Sequence, residues 1–259
     1  MTKIIAVANQ KGGVGKTTSS VNLAASLAVM KRKVLIIDMD PQGNATTGIG
    51  LDKHNPETLL SDVLLGDAQV EAAIQQVPNT NIDALAGGPD LTIAEFQMMK
   101  MDEREYRLHN VLTNIKDRYD YVIIDCPPSL NMLTVNALVA ADGVLIPMQC
   151  EYYALEGLSA LVGSIETIRS NSNPKLQITG LLRTMYDPRN NLARDVSKQL
   201  AKHFGDKLYN TSIPRNIRLA EAPSHGLPVL MYDKRSSGAL AYLALSAELI
   251  RKDAALQAA

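Results

Sequence analysis

Eight consecutive residues near the amino end of the chain have the composition of a phosphate-binding turn: Lys11, Gly12, Gly13, Val14, Gly15, Lys16, Thr17 and Thr18. They follow an apolar run over 4–8 and precede a helix-like segment over 20–27. Glycines allow successive backbone N–H groups to point at phosphate oxygens, and a following helix N-terminus adds partial positive charge. Lys16 can neutralise the β- and γ-phosphates, and the Thr17 hydroxyl can bind Mg²⁺. The pattern therefore predicts a nucleoside triphosphate site.

The turn departs from the usual pattern at its start. Gln10 stands where the first glycine normally lies, and a second lysine, Lys11, follows it. A glycine-rich turn can also be no more than a tight connection between a strand and a helix. The Gly-Lys-Thr-Thr sequence and the apolar flanks favour the phosphate-binding interpretation.

A phosphate site of this kind needs carboxylates that hold the metal and place the attacking water. Apolar strand-like runs deliver Asp38 and Asp125 at their carboxyl ends, and Asp40 follows two residues after Asp38. Asp125 has the Walker-B placement, so we expect it to bind Mg²⁺. Asp38 and Asp40 share a face if the strand continues, and the residues alone do not say which one places the water. A single aspartate at a strand end is more often a helix N-cap, but three beside this turn favour metal and water.

Elsewhere, apolar runs of strand length alternate with helical patterns along the 259 residues, of which 46% are hydrophobic. This alternation predicts one α/β domain over 1–259, with a doubly wound, mostly parallel sheet, helices on both faces and the P-loop NTPase type of fold. We expect strands at 3–9, 34–39, 82–86, 121–125, 143–148 and 177–184. We expect helices at 17–30, 106–118, 132–140, 155–170, 192–204 and 238–252.

Composition excludes several classes of protein. No apolar run reaches transmembrane length, and two cysteines are too few for a disulfide framework. We therefore expect a protein of the reducing cytoplasm. The net charge of −1 does not by itself indicate a nucleic-acid partner.

Three motifs together resemble the ParA/MinD superfamily of deviant Walker ATPases: the phosphate turn, the sequence from Asp38 to Asn44, and the sequence from Ile123 to Ser129. The segments 149–157 and 213–226 are similar to those of the short chromosomal ParA proteins, also called Soj. The resemblance covers essentially the whole chain. It implies ATP and Mg²⁺ as cofactors and a homodimer that encloses two ATP molecules.

The resemblance also implies roles for individual residues. Lys11 reaches the partner's ATP, Gly12 lies at the dimer interface, and Asp40 orients the attacking water. These implied roles make Lys11, Lys16 and Asp40 the catalytic set and Thr17, Asp40 and Asp125 the metal set. The nucleotide contacts are the whole turn from Lys11 to Thr18 together with Glu151, Pro214 and Asn216. Of these, Glu151 contacts the partner's nucleotide, and Pro214 and Asn216 pack near adenine.

The segment between Arg183 and Arg235 is locally basic, with ten Lys or Arg against five Asp or Glu. Such a face can hold phosphate backbones without reading sequence, although a solvated protein surface can have the same excess. By resemblance, Arg189 and Arg218 belong to a nonspecific DNA surface. Lys198, Lys234 and Arg235 lie in the same segment, and we expect them to contribute.

Together, these features predict an ATP-dependent switch for chromosome or plasmid partitioning. Its ATP-bound dimer would bind double-stranded DNA nonspecifically, associate with the nucleoid and be released when a ParB-like centromere-binding protein and DNA stimulate slow ATP hydrolysis. One alternative is a ParA-like ATPase that positions another cargo. Others are a MinD-like membrane-surface ATPase and a metabolic phosphotransferase. The sequence over 244–252 lacks a long basic amphipathic tail, so we expect no membrane partner.

Overall fold

A central sheet of eight strands organises the chain, and the computed structural model describes residues 2–54, 58–152 and 154–258 of it. The strand order is β3-β4-β2-β5-β1-β6-β7-β8, and every pair is parallel except β3 with β4. The strands are β1 Lys3–Val7, β2 Val34–Asp38, β3 Ile74–Gln76, β4 Ile82–Leu85, β5 Tyr121–Asp125, β6 Gly143–Gln149, β7 Gln177–Tyr186 and β8 Leu208–Pro214.

Helices cover both faces of this sheet, which confirms the predicted doubly wound class. They are α1 Lys16–Val29, α2 Asn44–Gly48, α3 Leu60–Leu65, α4 Val70–Ala73, α5 Asp90–Met98, α6 Arg107–Thr113, α7 Met132–Ala140, α8 Ala154–Asn171, α9 Asn191–Phe204, α10 Ile217–Glu221, α11 Val229–Tyr232 and α12 Ser237–Ala258. Short 3₁₀ turns join several of them, including the one over Ala222–His225 that follows α10.

Two separate hydrophobic cores explain the continuous apolar runs of the central strands. In β1, Ile4 and Ala6 belong to one core while Ile5 and Val7 belong to the other. The first core packs against helices such as α7 and α8, and the second packs against α1 and α12. A strand that is buried on both faces needs apolar residues at every position, which is why these strands were found readily.

The six predicted strands are present, with ends that differ by at most two residues. Two further strands, β3 and β8, were not predicted, and they lie at the two edges of the sheet. β8 has the polar sequence Leu-Tyr-Asn-Thr-Ser-Ile-Pro, and Glu248 of α12 accepts hydrogen bonds from the backbone N–H groups of Asn210 and Thr211. A polar edge strand whose N–H groups are satisfied by a side chain has little of the apolar pattern that predicts a strand.

The single helix predicted over 106–118 is wrong. A 3₁₀ turn at Arg104–Tyr106 leads into α6, which ends at Thr113, and a second 3₁₀ turn follows at Lys116–Arg118. Thr113 donates its hydroxyl hydrogen to the carbonyl of His109, and Asn114 is the C-cap. Thr and Asn have modest helix propensity because their side chains compete for backbone groups, and here they end the helix.

Within the described ranges, no helix combines the length and the apolar character that a membrane span requires.

Candidate active site

The predicted phosphate turn leaves the carboxyl end of β1, the strand that lies between β5 and β6. Gly13 and Gly15 have φ values of 73° and 88°, a left-handed conformation that favours glycine. Gly15 is also the N-cap of α1 and no side chain caps this helix, so the N–H groups of its first turn remain available to an anion. The backbone of the turn is therefore shaped to bind phosphate oxygens.

Side chains near the ends of β6 and β7 hold the turn in place by hydrogen bonds to its backbone. The Thr184 hydroxyl, near the end of β7, donates to the Val14 carbonyl at 2.7 Å. The Gln149 amide, at the end of β6, donates to the Gly13 carbonyl at 3.1 Å. Sequence reasoning missed both anchors, because a threonine and a glutamine at distant strand ends carry no pattern until the strand order is known.

Lys16 lies inside the turn with 7% of its surface exposed. Its Nζ donates to the Lys11 carbonyl at 3.2 Å. Burial lowers the pKa of the Lys16 ammonium, and the nearby carboxylates of Asp125 and Asp40 oppose that effect. A triphosphate bound in the turn would therefore place further negative charge beside the Lys16 ammonium and stabilise its charged form.

The expected metal residues Thr17 and Asp125 are in direct contact. The Thr17 hydroxyl donates to Asp125 Oδ2 at 2.8 Å, and the Ser20 hydroxyl donates to Oδ1 at 2.8 Å. Burial, and next the neighbouring Asp38, raise the pKa of the fully buried Asp125 carboxyl. Sequence reasoning missed Ser20, which lies one helical turn beyond Lys16 and fixes the second carboxylate oxygen.

This hydroxyl and carboxylate suit Mg²⁺, which prefers oxygen ligands and usually takes only one or two from the protein. In the described residues, no three His, Cys, Asp or Glu side chains cluster closely enough to hold a metal by themselves. A Mg²⁺ ion here would be held by the Thr17 hydroxyl and the Asp125 carboxylate, with phosphate oxygens and waters as its other ligands.

The structure distinguishes the two aspartates that the sequence left equivalent. β2 ends at Asp38, so the condition that would place Asp38 and Asp40 on one strand face does not hold. Both oxygens of Asp38 accept hydrogen bonds, Oδ1 from the Asp40 N–H and Oδ2 from Thr46. Burial raises the pKa of Asp38 to about 6, and the bonds from Thr46 and Asp40 oppose the shift.

Asp40 has a different environment. Its Oδ1 accepts a hydrogen bond from the Gln42 N–H at 3.0 Å, and 7% of the residue is exposed. Among the described residues, its Oδ2 has no hydrogen-bond partner. Asp40 therefore has a carboxylate oxygen to offer a water or a metal, whereas Asp38 is committed to the protein.

Lys11 lies on the outside of the turn and is about half exposed. Its Nζ forms an ion pair of 2.5 Å with Glu151 of the same chain, just after β6. The structure thus brings together two residues that the resemblance assigned to contacts across a dimer. Sequence reasoning did not foresee that they would pair with each other within one chain.

The expected adenine segment lies at the carboxyl end of β8. Pro214 ends this strand, and the Asn216 side-chain oxygen caps α10 by accepting from the N–H groups of Arg218 and Leu219. The Asn216 amide also donates to the Ser237 hydroxyl at 2.9 Å. Asn216 therefore has a definite structural role in shaping this edge of the site.

The expected DNA-binding residues follow the ends of the same outer strands. Arg189 lies after β7 and donates from Nε and Nη2 to the two oxygens of Asp187, which lowers the pKa of that carboxyl to about 2. Arg218 on α10 pairs with Glu221 at 2.7 Å and with Asp233 at 3.5 Å. Each arginine is thus exposed but already bound to acids of its own chain.

The remaining members of this set are more varied. Lys198 lies on α9 and pairs with Asp195 at 3.5 Å. Lys234 and Arg235 are exposed just before α12, and neither forms an ion pair with the residues that the structure describes.

The turn after the central strand, its buried lysine and the aspartate of the adjacent strand place the chain among the P-loop nucleoside triphosphatases. A family model described as an AAA domain matches residues 2–178. Of solved structures, cobyrinic acid a,c-diamide synthase from Mycobacterium smegmatis with bound ADP and magnesium has a TM-score of 0.85 and 36% identity, covering 97% of this chain and 95% of that one. The cell division ATPase MinD from Pyrococcus furiosus has a TM-score of 0.79 and 28% identity, covering 97% and 99%.

Sequence relatives extend over nearly the full length. An uncharacterised protein of Pseudomonas putida is 61% identical over 97% of this chain and 96% of its own. The sporulation initiation inhibitor protein Soj of Bacillus subtilis is 51% identical over 96% and 98%, and the chromosome partitioning protein ParA of Caulobacter vibrioides is 48% identical over 99% and 97%. The chain belongs to the ParA/MinD superfamily and stands close to its Soj-type ParA proteins.

Proposed function

We propose that this protein is an ATP-dependent switch that partitions a chromosome or plasmid. The observation that carries the proposal is the pair of lysines in one phosphate turn. Lys16 is buried inside the turn, and Lys11 lies half exposed on its outer side. Lys16 would bind the phosphates of the chain's own nucleotide. Lys11 would bind the phosphates of a nucleotide held by a second protomer.

In the proposed hydrolysis, the turn N–H groups and Lys16 bind the triphosphate. Bound Mg²⁺ would neutralise charge that develops on the phosphates, with Thr17 and Asp125 on its protein side. Asp40 orients the attacking water through its free carboxylate oxygen. Thr184 and Gln149 keep the turn in place, because both bond to its carbonyls.

Gly12 supports assembly of two copies through this face. Among the residues that the structure describes, a Cβ on Gly12 would meet nothing within 4 Å, and its backbone needs no left-handed φ. None of these residues therefore requires glycine at this position, whereas close approach of a second protomer would. On assembly, Lys11 would leave Glu151 for the partner's phosphates, and Glu151 would be free to contact the partner's nucleotide.

The proposed DNA surface uses Arg189 and Arg218, supported by Lys198, Lys234 and Arg235. Phosphates would replace the carboxylates that hold Arg189, Arg218 and Lys198 in the single chain. Lys234 and Arg235 would contribute exposed charge beside them. Such contacts are weak individually, and a dimer doubles them, so DNA binding would depend on ATP. A ParB-like partner would then stimulate hydrolysis and release the dimer from the nucleoid.

ATPase rates test this proposal against its alternatives. We expect slow turnover that rises when duplex DNA and a ParB-like N-terminal peptide are added together and that does not respond to lipid vesicles. Stimulation by vesicles would favour a MinD-like membrane-surface ATPase instead. Turnover that needs a small-molecule acceptor and ignores DNA would favour a metabolic phosphotransferase.

The Asp40→Ala variant tests the mechanism separately. We expect it to bind ATP, to form the dimer and to remain on DNA, because the hydrolytic step is blocked. Wild-type turnover in this variant would remove Asp40 from its proposed role.

A further inference from the structure

Thr46 is a fully buried residue of the short helix α2, and its hydroxyl lies at the meeting point of three segments. Both its backbone N–H and its hydroxyl lie 2.8 Å from Asp38 Oδ2. The Gly87 N–H donates to the same hydroxyl oxygen at 2.9 Å. One threonine therefore joins the end of β2, helix α2 and the turn after β4.

Asp38 in turn connects Thr46 to Asp40. Asp38 Oδ1 accepts the Asp40 N–H at 3.1 Å, so the same carboxylate that Thr46 binds also fixes the backbone of Asp40. Asp40 then accepts the Gln42 N–H, which closes the turn that carries its side chain. A rotation of the Asp38 carboxylate would release the Asp40 N–H and shift the Asp40 carboxylate.

Gly87 shows how tightly this region is built. A Cβ on Gly87 would lie 2.3 Å from the Asp38 carbonyl oxygen and 2.9 Å from its carboxyl carbon. The turn after β4 is thus pressed against Asp38, and its N–H group directs the oxygen of Thr46. The Gly87 N–H donates to the Thr46 hydroxyl oxygen, and the hydroxyl has one hydrogen to donate in turn. Asp38 Oδ2 at 2.8 Å is the nearer and charged acceptor for it, and the Gly87 carbonyl at 3.2 Å is the more distant one.

We propose that Thr46 is a positioning residue for ATP hydrolysis, which acts through Asp38 to fix the carboxylate of Asp40. This inference rests on the proposed function, since it assigns Asp40 the task of orienting water. Among the described residues, Thr46 forms no hydrogen bond with the phosphate turn or with Asp125, whose side-chain hydrogen bonds come from α1. The hydrolytic step should therefore depend on Thr46 much more than nucleotide binding does.

The experiment compares kcat and KM for Mg²⁺-ATP in the full-length protein with Thr46→Val, which keeps the shape but removes the hydroxyl. We expect kcat to fall about 10-fold or more, because small displacements of a positioning group are costly, while KM stays within about 2-fold. Thr46→Ser restores the hydroxyl and should recover most of kcat. Thr46→Ala removes the hydroxyl without adding bulk, so it replaces the valine variant if thermal unfolding shows that the latter does not fold.

Thr47→Val is the matched control. Thr47 is the next residue of α2, and its exposed side chain donates to the Gly43 carbonyl within the same turn. This variant should keep both kcat and KM. A loss equal to that of Thr46→Val would mean that any change in α2 impairs the enzyme, and would overturn the specific role of Thr46.

Two results separate this inference from the proposed function. If the wild-type chain hydrolyses ATP and a folded Thr46→Val or Thr46→Ala variant keeps its kcat, the role of Thr46 is refuted and the proposed function stands. If the wild-type chain does not hydrolyse ATP under any of the stimulating conditions, the proposed function fails and this inference fails with it.

Discussion

The phosphate turn and the basic surface both present cations to phosphate, but they hold them in opposite ways. Lys16 is 7% exposed and donates to a backbone carbonyl of its own turn. The Arg189 side chain is 89% exposed and is held by both oxygens of Asp187. The first cation is fixed by burial, whereas the second is balanced by a neighbouring acid in solvent.

Lys11 belongs with the exposed group, although it lies in the phosphate turn. It pairs with Glu151 as Arg189 pairs with Asp187 and as Arg218 pairs with Glu221. Exposed ion pairs contribute little to stability and are easily exchanged for another anion. Under the proposed function, the buried cation would serve the nucleotide of its own chain, while the exposed ones would act when a second protomer or DNA replaces their acids.

The largest effect should come from the buried cation. Lys16→Ala removes the ammonium group that faces the phosphates, so we expect Mg²⁺-ATP binding to weaken about 100-fold or more, since charge-assisted contacts are strong in buried sites. Titration with a fluorescent ATP analogue measures this. Lys11→Ala should leave nucleotide binding by the single chain nearly intact, and equal losses in both variants would erase the distinction between the two lysines.

A smaller effect, a loss of dimerisation without a loss of stability, is expected when Gly12 on the outer side of the turn is substituted. Gly12→Val places a side chain where the chain itself has free space, so thermal stability should be unchanged while ATP-dependent dimerisation falls about 10-fold or more, because a well-packed interface excludes added bulk. Analytical ultracentrifugation with and without ATP measures assembly. Gly163→Val adds a side chain at another glycine with nothing within 4 Å, on α8, and should dimerise normally.

DNA binding should respond to both members of an exposed pair, in opposite directions. Arg189→Ala should weaken the ATP-bound protein's DNA affinity about 10-fold and reduce the slope of log affinity against log salt by about 1. Asp187→Asn releases the arginine, so affinity should rise about 2- to 5-fold, the size expected for an exposed ion pair. Fluorescence anisotropy with duplex DNA at several salt concentrations gives both quantities.

Arg169→Ala is the matched control for that experiment. Arg169 is an exposed arginine on α8 that pairs with Glu166, outside the basic segment. Its loss should leave DNA affinity and the salt slope unchanged. An unchanged affinity in Arg189→Ala, or a fall in Asp187→Asn, would contradict the proposed surface.

The buried carboxylates beside the phosphate turn should make the free energy of unfolding depend on pH. Burial and Asp38 raise the pKa of Asp125 from 3.8 to about 8, so the folded protein binds this proton more tightly than the unfolded chain does. The associated stability is present below about pH 4 and is lost as pH rises through about 8. In EDTA and without nucleotide, the free energy of unfolding should therefore fall over this range.

Asp125→Asn tests that assignment. In this variant, the free energy of unfolding should depend less on pH. A smaller decline should remain between about pH 4 and 6, because burial also raises the pKa of Asp38, from 3.8 to about 6. Urea unfolding at a series of pH values measures this. An equally steep decline in wild type and variant would show that another group is responsible.

The two regions also differ in how far the sequence predicts them. The phosphate turn is local in sequence, and the strands that present it are buried on both faces, so motif and apolar pattern together locate Lys16, Thr17 and Asp125. Ser20, Thr46 and Thr184 could not be found in this way. They act through contacts between distant segments, and a hydroxyl in a helix or strand has no distinctive pattern of its own.

The basic surface shows a different limit. Counting charges locates an excess of Lys and Arg between Arg183 and Arg235, but it does not show which acids pair with which bases. The structure provides that pairing for Arg189 and Arg218, and for Lys11 with Glu151 in the turn. The edge strand β8 was missed for a related reason, because its sequence is polar and Glu248 on a distant helix accepts from two of its backbone N–H groups.

The central claim is that Lys16 serves its own nucleotide and Lys11 serves the partner's, and mixing two inactive variants tests it most directly. Lys11→Ala and Asp40→Ala should each hydrolyse ATP poorly alone. In a mixed dimer, the Lys11→Ala chain supplies Asp40 and its partner supplies Lys11, so one of the two sites is complete. An equal mixture should regain about a quarter of wild-type activity if the chains exchange freely in a symmetric dimer. A mixture as inactive as its components would contradict the claim, because it would mean that Lys11 and Asp40 act within the same chain.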